Sequence, residues 1–342
     1  MRCLIYSDVH ISQDSSIVKQ QGINTKYSTR LNHIIKSLNW AEALAEENDC
    51  KYIFNLGDTF DKPIINAMEA TAIQEIKWAN IPHFILVGNH DSDVASLEYS
   101  SVNVLRKLNF NIIDKPLHFI DKDSNVSFIF LPYISETNRK KFVEYGCTKN
   151  DIVLSHNDIA GFNFGGFISK DGFNINDIKN NSKLFLNGHL HNSSFLDKNI
   201  LNVGNLCGQN FSEDAFTYKH GCWILDTDDM SIDFIENPFA LNFYQLAFPQ
   251  DKDKFYLLSF NAVLSIKCNR KYKDELNDIL NKFSAKIVTK RVIYIDEEVK
   301  NDINIVKLEK VDYLKEFSSF ILDNLGNNSA IKEELGEICK WK

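Results

Sequence analysis

Residues 84–91 read Phe84-Ile85-Leu86-Val87-Gly88-Asn89-His90-Asp91, an apolar run that stops on a glycine and then on three side chains able to bind a metal or a phosphate. Four other short apolar runs end in the same way. Cys3 to Tyr6 leads into Asp8-Val9-His10, and Tyr52 to Leu56 into Gly57-Asp58. Ile152 to Leu154 leads into Ser155-His156, and Leu184 to Leu186 into Gly188-His189-Leu190-His191. Between the first three lie segments of helical period: Thr29 to Glu47, with Leu31, Ile34, Ile35, Leu38, Ala41 and Leu44 on one side, and Ala67 to Ala79. Strands alternating with helices predict a layered α/β fold. In open sheets of that class, sites form beyond the carboxyl ends of the strands, so five loops far apart in sequence are expected to meet in one crevice.

The residue types at those five loops point to an ion. Four imidazoles, carboxylates and one amide, with no thiolate, suit manganese, iron or zinc better than calcium or magnesium. Asp-x-His and His-x-His are spaced by two, so on extended backbone both side chains of each pair would lean the same way. Asp58, with two acceptor oxygens, is the natural bridge between two ions. A pair of cations about 3.5–4 Å apart clamps a phosphoryl group and stabilises its entering and leaving oxygens, which is the chemistry of phosphate-ester hydrolysis. The glycines at 57, 88 and 188 let the chain turn sharply and come close to such a centre.

Composition excludes several other classes. The 342 residues are 44% hydrophobic and 25% charged, which fits a large globular domain with smaller appendages. No apolar run approaches the roughly 20 residues that cross a bilayer, so neither a signal peptide nor a membrane span is expected. Seven cysteines occur singly, without a C-x-x-C pair, and read as reduced thiols rather than as a disulfide framework or a structural zinc site. The net charge of -8 argues against a protein that coats nucleic acid through bulk positive charge. Contacts with DNA would then be local, metal-assisted or shared with a partner.

Asp8-x-His10, Gly57-Asp58-x-x-Asp61, Gly88-Asn89-His90-Asp91, a lone His156 after a strand, and Gly188-His189-x-His191, in this order, resemble the calcineurin-like metallophosphoesterase superfamily. Within it the chain is similar to the SbcD-type DNA repair and recombination nucleases, most of all to the recombination endonuclease subunits of large tailed bacteriophages. The motifs cover roughly residues 1 to 210. Asn202-Val203-Gly204-Asn205, Ser212-Glu213-Asp214 and Gly221-Cys222-Trp223 are more loosely similar to the closing segment of that family.

The resemblance implies a fold, a centre and partners. The fold would be a layered α/β β-sandwich flanked by helices, with a two-metal phosphoesterase domain over residues 1–248, a small α/β DNA-facing capping domain over 249–300, and a helical partner-binding segment over 301–342. Asp8, His10 and His191 would hold one ion, and Asn89, His156 and His189 the other, with Asp58 between two divalent cations, Mn2+ in the first place. His90 would not be a ligand but would act on the scissile phosphate. Asp91 would orient His90 or cap a strand end, and Asp61 stands where relatives often have a histidine, so it is given no catalytic role. The partners would be DNA, an SbcC-type coiled-coil ATPase bound through the C-terminal helices, and a second copy of the chain, with helices near residues 96 to 108 one candidate interface that the sequence leaves open. The compartment would be the cytoplasm, that of a host if the origin is a phage.

Other readings compete. A phosphatase or cyclic-nucleotide phosphodiesterase could use the same scaffold, although protein phosphatases of the superfamily read Gly-Asp-x-x-Asp-Arg-Gly and Gly-Asn-His-Glu where this chain has Lys62-Pro63 and Asp91. A subunit that mainly binds a partner, with structural metals, is the third. His33, His83, His118 and His220 are expected to be structural. Phe162, Phe164, Phe167 and Phe173 would fill a core face rather than stack on bases, and Arg139-Lys140-Lys141 would form a solvated face, as would Lys286, Lys290 and Arg291. In the last third, Tyr256 to Cys268 and Lys286 to Ile295 read as strands around a helix from Tyr272 to Phe283. Val311, Leu314, Phe317, Ile321 and Leu325 form a helical stripe suited to docking on a coiled coil.

Overall fold

The computed structural model describes residues 1–14, 26–93, 96–108, 110–161 and 169–295. Alternation along the strands builds two facing sheets with three layers of core. In the strand Arg2–Tyr6, Leu4 and Tyr6 face the helix Thr29–Glu47, whose Leu31, Ile34, Leu38, Ala41 and Ala45 complete that core. Cys3 and Ile5 point the other way, into a second core shared with Phe54, Phe84, Phe128, Phe130, Leu154 and Leu186. There the rings of Phe84 and Phe130 stack with centroids 5.2 Å apart, and Phe54 lies 5.2 Å from Phe128. Each phenylalanine buried in this way contributes about 2–3 kcal/mol of hydrophobic free energy.

The first sheet runs Ser231–Glu236, Gly221–Asp226, Arg2–Tyr6, Tyr52–Asn55, His83–Leu86, Asn111–Ile113. The second runs Ser194–Asp197, Ile200–Asn202, Leu184–Asn187, Ile152–Ser155, Ser127–Leu131, Leu117–Ile120. Their middle strands are parallel, and the outer face of the second sheet packs Ile129, Val153 and Phe185 against Phe142 and Ile178. This is the layered α/β sandwich that the sequence predicts. The five site-bearing strands belong to two sheets, as the β-sandwich implied by the resemblance requires, and not to one open sheet. Their loops meet because both sheets present their carboxyl ends on the same side.

The predicted helix Thr29–Glu47 is present, opened by Ser28, whose hydroxyl accepts the Leu31 N–H at 3.2 Å. The second helix starts at Ala67 on an Asn66–Glu69 capping box but stops at Glu75, four residues short of the expectation. Long-range partners end it: Asn39 Oδ1 accepts the Lys77 N–H at 2.7 Å and Glu42 Oε2 accepts the Ala79 N–H at 2.9 Å. Those two amides are then lost to the helical ladder.

A third, all-parallel sheet of Asn242–Phe248, Ala262–Asn269 and Ile287–Ile295 packs on the helix Lys273–Lys282 through Leu264, Ile266, Leu276 and Leu280. The expected strand from Tyr256 begins only at Ala262. Residues 252–257 instead form a 3-10 turn over Asp251, whose carboxylate accepts the Ala247 N–H at 2.7 Å. Tyr256, Leu257 and Phe260 are consequently exposed. Phe173 is buried in the outer core of the second sheet as expected, while Phe162, Phe164 and Phe167 and all tail positions lie outside the described residues. No helix among the described residues is long and apolar enough to cross a membrane.

Candidate metal centre

Backbone pairing continues past the strand ends and draws the loops together. Asp8 N–H donates to Gly57 O at 3.0 Å and His10 N–H to Asp58 O at 3.0 Å, so the first two loops run side by side. His156 N–H reaches Leu131 O and Gly188 N–H reaches Ser155 O within the second sheet, and Leu206 N–H reaches Ser7 O, tying the second sheet's loops to the first. Asp8, His10, Asp58 and His189 all have positive φ, at 52°, 50°, 50° and 76°. The Asp-x-His pair is not on extended backbone, the condition under which spacing alone would align the two side chains; it converges through left-handed turns. Left-handed geometry at non-glycine residues costs about 1–3 kcal/mol each, and it persists where the surroundings over-determine it, as at binding sites.

Two glycines permit close approaches at the centre. Gly57 has φ +110°, and a Cβ there would stand 2.4 Å from His156 Nδ1. A Cβ on Gly88 would stand 2.1 Å from Asp58 Oδ1 and 2.4 Å from the Asp58 nitrogen.

The eight predicted site residues come together. Asp8, His10 and His191 form one group and Asp58, His156 and His189 another, with the candidate ligand atoms of each group within 4.8 Å of one another. Asn89 completes the second group: its Oδ1 lies 3.2 Å from His156 Nε2 and 2.9 Å from His189 Nδ1. Asp58 Oδ2 stands 3.2 Å from His156 Nε2 and 3.8 Å from His10 Nε2, between the groups. His90 is exposed at the mouth, its ring centroid 4.7 Å from that of His10.

The donor set fits two cations. Asp8 Oδ1 is buried without a hydrogen-bond partner, which is costly for a carboxylate unless a cation satisfies it. The Nε2 atoms of His10 and His191 face one another at 3.2 Å, an arrangement that a shared ion would stabilise. Away from the centre, each imidazole has an acceptor on its other nitrogen: Leu56 O at 2.6 Å from His156 Nδ1, Asp158 Oδ1 at 3.1 Å from His189 Nε2, and Glu213 Oε1 at 2.7 Å from His191 Nδ1. His10 Nδ1 lies 3.3 Å from Asp61 Oδ1, near enough to pair though not aligned for a hydrogen bond. Metal-binding histidines are generally held in this way from behind.

Electrostatics is consistent with a cation site. Burial alone would raise the Asp58 carboxyl, but His156, His10 and His90 outweigh it and hold Asp58 well below the usual carboxylate range. Burial disfavours a charged His156, yet Asp58 prevails and raises it. Burial lowers His10. Burial and the neighbouring Asp58 carboxylate push Asp91 upward.

Several residues outside the predicted set belong to the site. The sequence pattern assigns no role to Asp158 or Glu213, although Asp158 follows His156 at the same spacing of two as the other pairs. Asp61, expected to have no catalytic role, has its carboxylate facing His10 and its carbonyl 3.1 Å from His90 Nδ1. Asp91 does not orient the His90 ring; it is buried and accepts the N–H groups of Phe60 at 2.8 Å and Gly88 at 2.9 Å, locking two loops together. Arg30 and Gln209 brace the first loop: Arg30 Nη2 donates to Gln209 Oε1, and Gln209 Nε2 to Val9 O at 3.2 Å.

The expected bystander histidines are structural. His83 pairs with buried Glu42 at 2.9 Å, His33 with Phe239 O at 2.8 Å and His118 with Ser127 Oγ at 2.7 Å. His220 is bonded to Asn205 Oδ1 at 2.5 Å and lies 3.9 Å from Glu213. Arg139 is no free phosphate contact, since its side chain is 4% exposed and pairs with Glu136 and Asp158.

A model of the calcineurin-like phosphoesterase family matches residues 1–223, and the chain belongs to that family. It is a hydrolase of phosphoester bonds, from a family that works with a dimetal centre. Three solved structures are similar to it at low identity. An archaeal phosphodiesterase is 14% identical, covering 69% of this chain and 99% of that one, with a TM-score of 0.37. A dimetal phosphatase from Danio rerio is 12% identical over 66% and 91%, with a TM-score of 0.42. A metallophosphoesterase from Sphaerobacter thermophilus is 15% identical over 84% and 99%, with a TM-score of 0.30. No curated protein matches the chain.

Proposed function

We propose that the chain is a manganese-dependent DNA nuclease of SbcD type, cleaving phosphodiester bonds as a 3'-5' exonuclease on duplex ends and an endonuclease on single strands. The observation that carries the two-ion reading is the position of Asp58 Oδ2, 3.2 Å from His156 Nε2 and 3.8 Å from His10 Nε2, with candidate ligand groups on both sides. Asp8, His10 and His191 would hold the first ion, and Asn89, His156 and His189 the second, with Asp58 shared. When bound, the ions would supply charge stabilisation for the phosphoryl oxygens and a nucleophile at neutral pH. The choice of DNA over a phosphoprotein is supported by Lys62-Pro63 and Asp91 standing where protein phosphatases carry Arg-Gly and Glu. The small parallel sheet that follows residue 242 supports it too, as the counterpart of a DNA-facing unit.

His90 acts on the substrate directly. Its backbone N–H donates to Asp58 Oδ1 at 2.8 Å, which fixes the loop to the shared ligand. The Asp61 carbonyl can only accept, so His90 Nδ1 carries the hydrogen on that side and Nε2 is left for the leaving oxygen. In its protonated form it donates there as a general acid.

The chain works in the cytoplasm with an SbcC-type coiled-coil ATPase held by residues 301–342, and as a homodimer. Side-by-side assays on plasmid DNA, a phosphopeptide and cyclic nucleotides in Mn2+ test the substrate. DNA cleavage should dominate, and His90→Asn should lower its kcat about 10²- to 10⁴-fold while two ions still bind. Turnover of the phosphopeptide or cyclic nucleotide in place of DNA would refute the nuclease reading.

A further inference from the structure

We propose that Asp158 and Glu213 are a matched pair of positioning residues, each deciding which ring nitrogen one histidine of the Gly188–His191 turn presents to its ion. The inference rests on the two-metal reading above. His189 and His191 are two residues apart on one turn, yet they use opposite nitrogens. His189 offers Nδ1, 2.9 Å from Asn89 Oδ1, and its Nε2 lies 3.1 Å from Asp158 Oδ1. His191 offers Nε2, 3.2 Å from His10 Nε2, and its Nδ1 lies 2.7 Å from Glu213 Oε1. An ionised carboxylate only accepts, so each one places the imidazole hydrogen on the nitrogen it faces and leaves the lone pair on the other.

Both carboxylates are themselves held. Glu213 is 1% exposed, and its Oε2 accepts the Gln209 N–H at 2.7 Å and Asn205 Nδ2 at 3.1 Å. The segment that carries it is anchored on the third sheet, where Ala215 N–H donates to Phe243 O at 3.0 Å and the Phe216 ring lies 4.6 Å from that of Tyr244. Asp158 is 31% exposed, and its second oxygen lies 3.5 Å from Arg139 Nη2. A carboxylate buried as deeply as Glu213 is expensive unless its partners are charged or donate to it, and every partner named here does one or the other. Neither carboxylate belongs to a candidate ligand group. They act through the histidines, one on each ion.

The test is Mn2+ binding to the metal-stripped full chain, followed by calorimetry and by the electron paramagnetic resonance of bound manganese. Wild type should bind two ions. In a His156→Ala background, which retains the first group, Glu213→Ala should weaken the remaining ion 10- to 100-fold and Asp158→Ala should leave it within a factor of two. In a His10→Ala background the two effects should exchange. Glu213→Gln and Asp158→Asn, which keep an acceptor oxygen, should recover part of the loss, and they carry the test where an alanine variant fails to fold. Equal weakening of both ions by either substitution, or no weakening of either, would overturn the positioning role. A wild-type chain that binds fewer than two ions would instead overturn the two-metal reading, and this proposal with it.

Discussion

Asp58 is enclosed so tightly that its surroundings tolerate almost no added volume. A Cβ on Gly88 would collide with both the carboxylate and the backbone of Asp58, so the collision cannot be relieved by a side-chain rotation. Gly88→Ala should therefore displace the shared ligand by a fraction of an ångström to an ångström and lower kcat/KM about 10²-fold. Steady-state kinetics on DNA beside a manganese titration checks it, and a variant with native kinetics would show that the enclosure has no bearing on function. At this scale the ligands themselves were legible, because each ends an apolar run in a residue type with metal or phosphate chemistry. The carboxylates behind them were not. Asp158 meets a histidine 31 residues away and Glu213 one 22 residues away, and no local periodicity encodes those pairings.

Secondary elements follow local pattern until a distant side chain intervenes. The helix Thr29–Glu47 has its apolar stripe and its serine cap in one stretch of sequence, and it was legible from end to end. The helix from Ala67 was not, because Asn39 and Glu42 take two of its amides. The conformation of the Asp-x-His turn lies beyond local pattern for a related reason, since hydrogen bonds from Asp8 and His10 to the neighbouring loop hold it left-handed. Asp121 shows the same reach across sheets. It sits in the hairpin of Leu117–Ile120 and Ser127–Leu131, and accepts Lys51 Nζ at 2.6 Å and Tyr52 OH at 2.7 Å beside the first sheet, together with the Ser124 N–H at 2.8 Å. Burial alone would raise its carboxyl, but these donors outweigh it and hold it below the usual range. A carboxyl depressed in the folded state adds stability that is complete above its unfolded value, near 4, and is lost as pH falls below it. Asp121→Ala should therefore cost roughly 2 kcal/mol at pH 7. The gap to wild type should narrow in urea titrations below about pH 4; a gap that widens in acid would contradict the assignment.

Across the whole molecule, two sheets that share one open end explain how loops separated by much of the chain supply one centre. The sequence pattern carried the layered fold because inward and outward residues alternate along nearly every strand. Alternation alone does not divide the strands between two sheets, since it reports burial on a face and not which sheet a strand joins; the family motifs are what imply the sandwich. The proposed partner belongs to this scale as well: removing residues 303–342 should abolish co-purification with a long coiled-coil ATPase while leaving manganese-dependent cleavage of short DNA intact, and retained co-purification would contradict docking through this segment.

The most direct measurement is anomalous scattering at the manganese edge from crystals grown with Mn2+. Two peaks about 3.5–4 Å apart are expected on either side of Asp58 Oδ2, one among Asp8, His10 and His191 and one among Asn89, His156 and His189. A single peak, or manganese bound away from these side chains, would contradict the account.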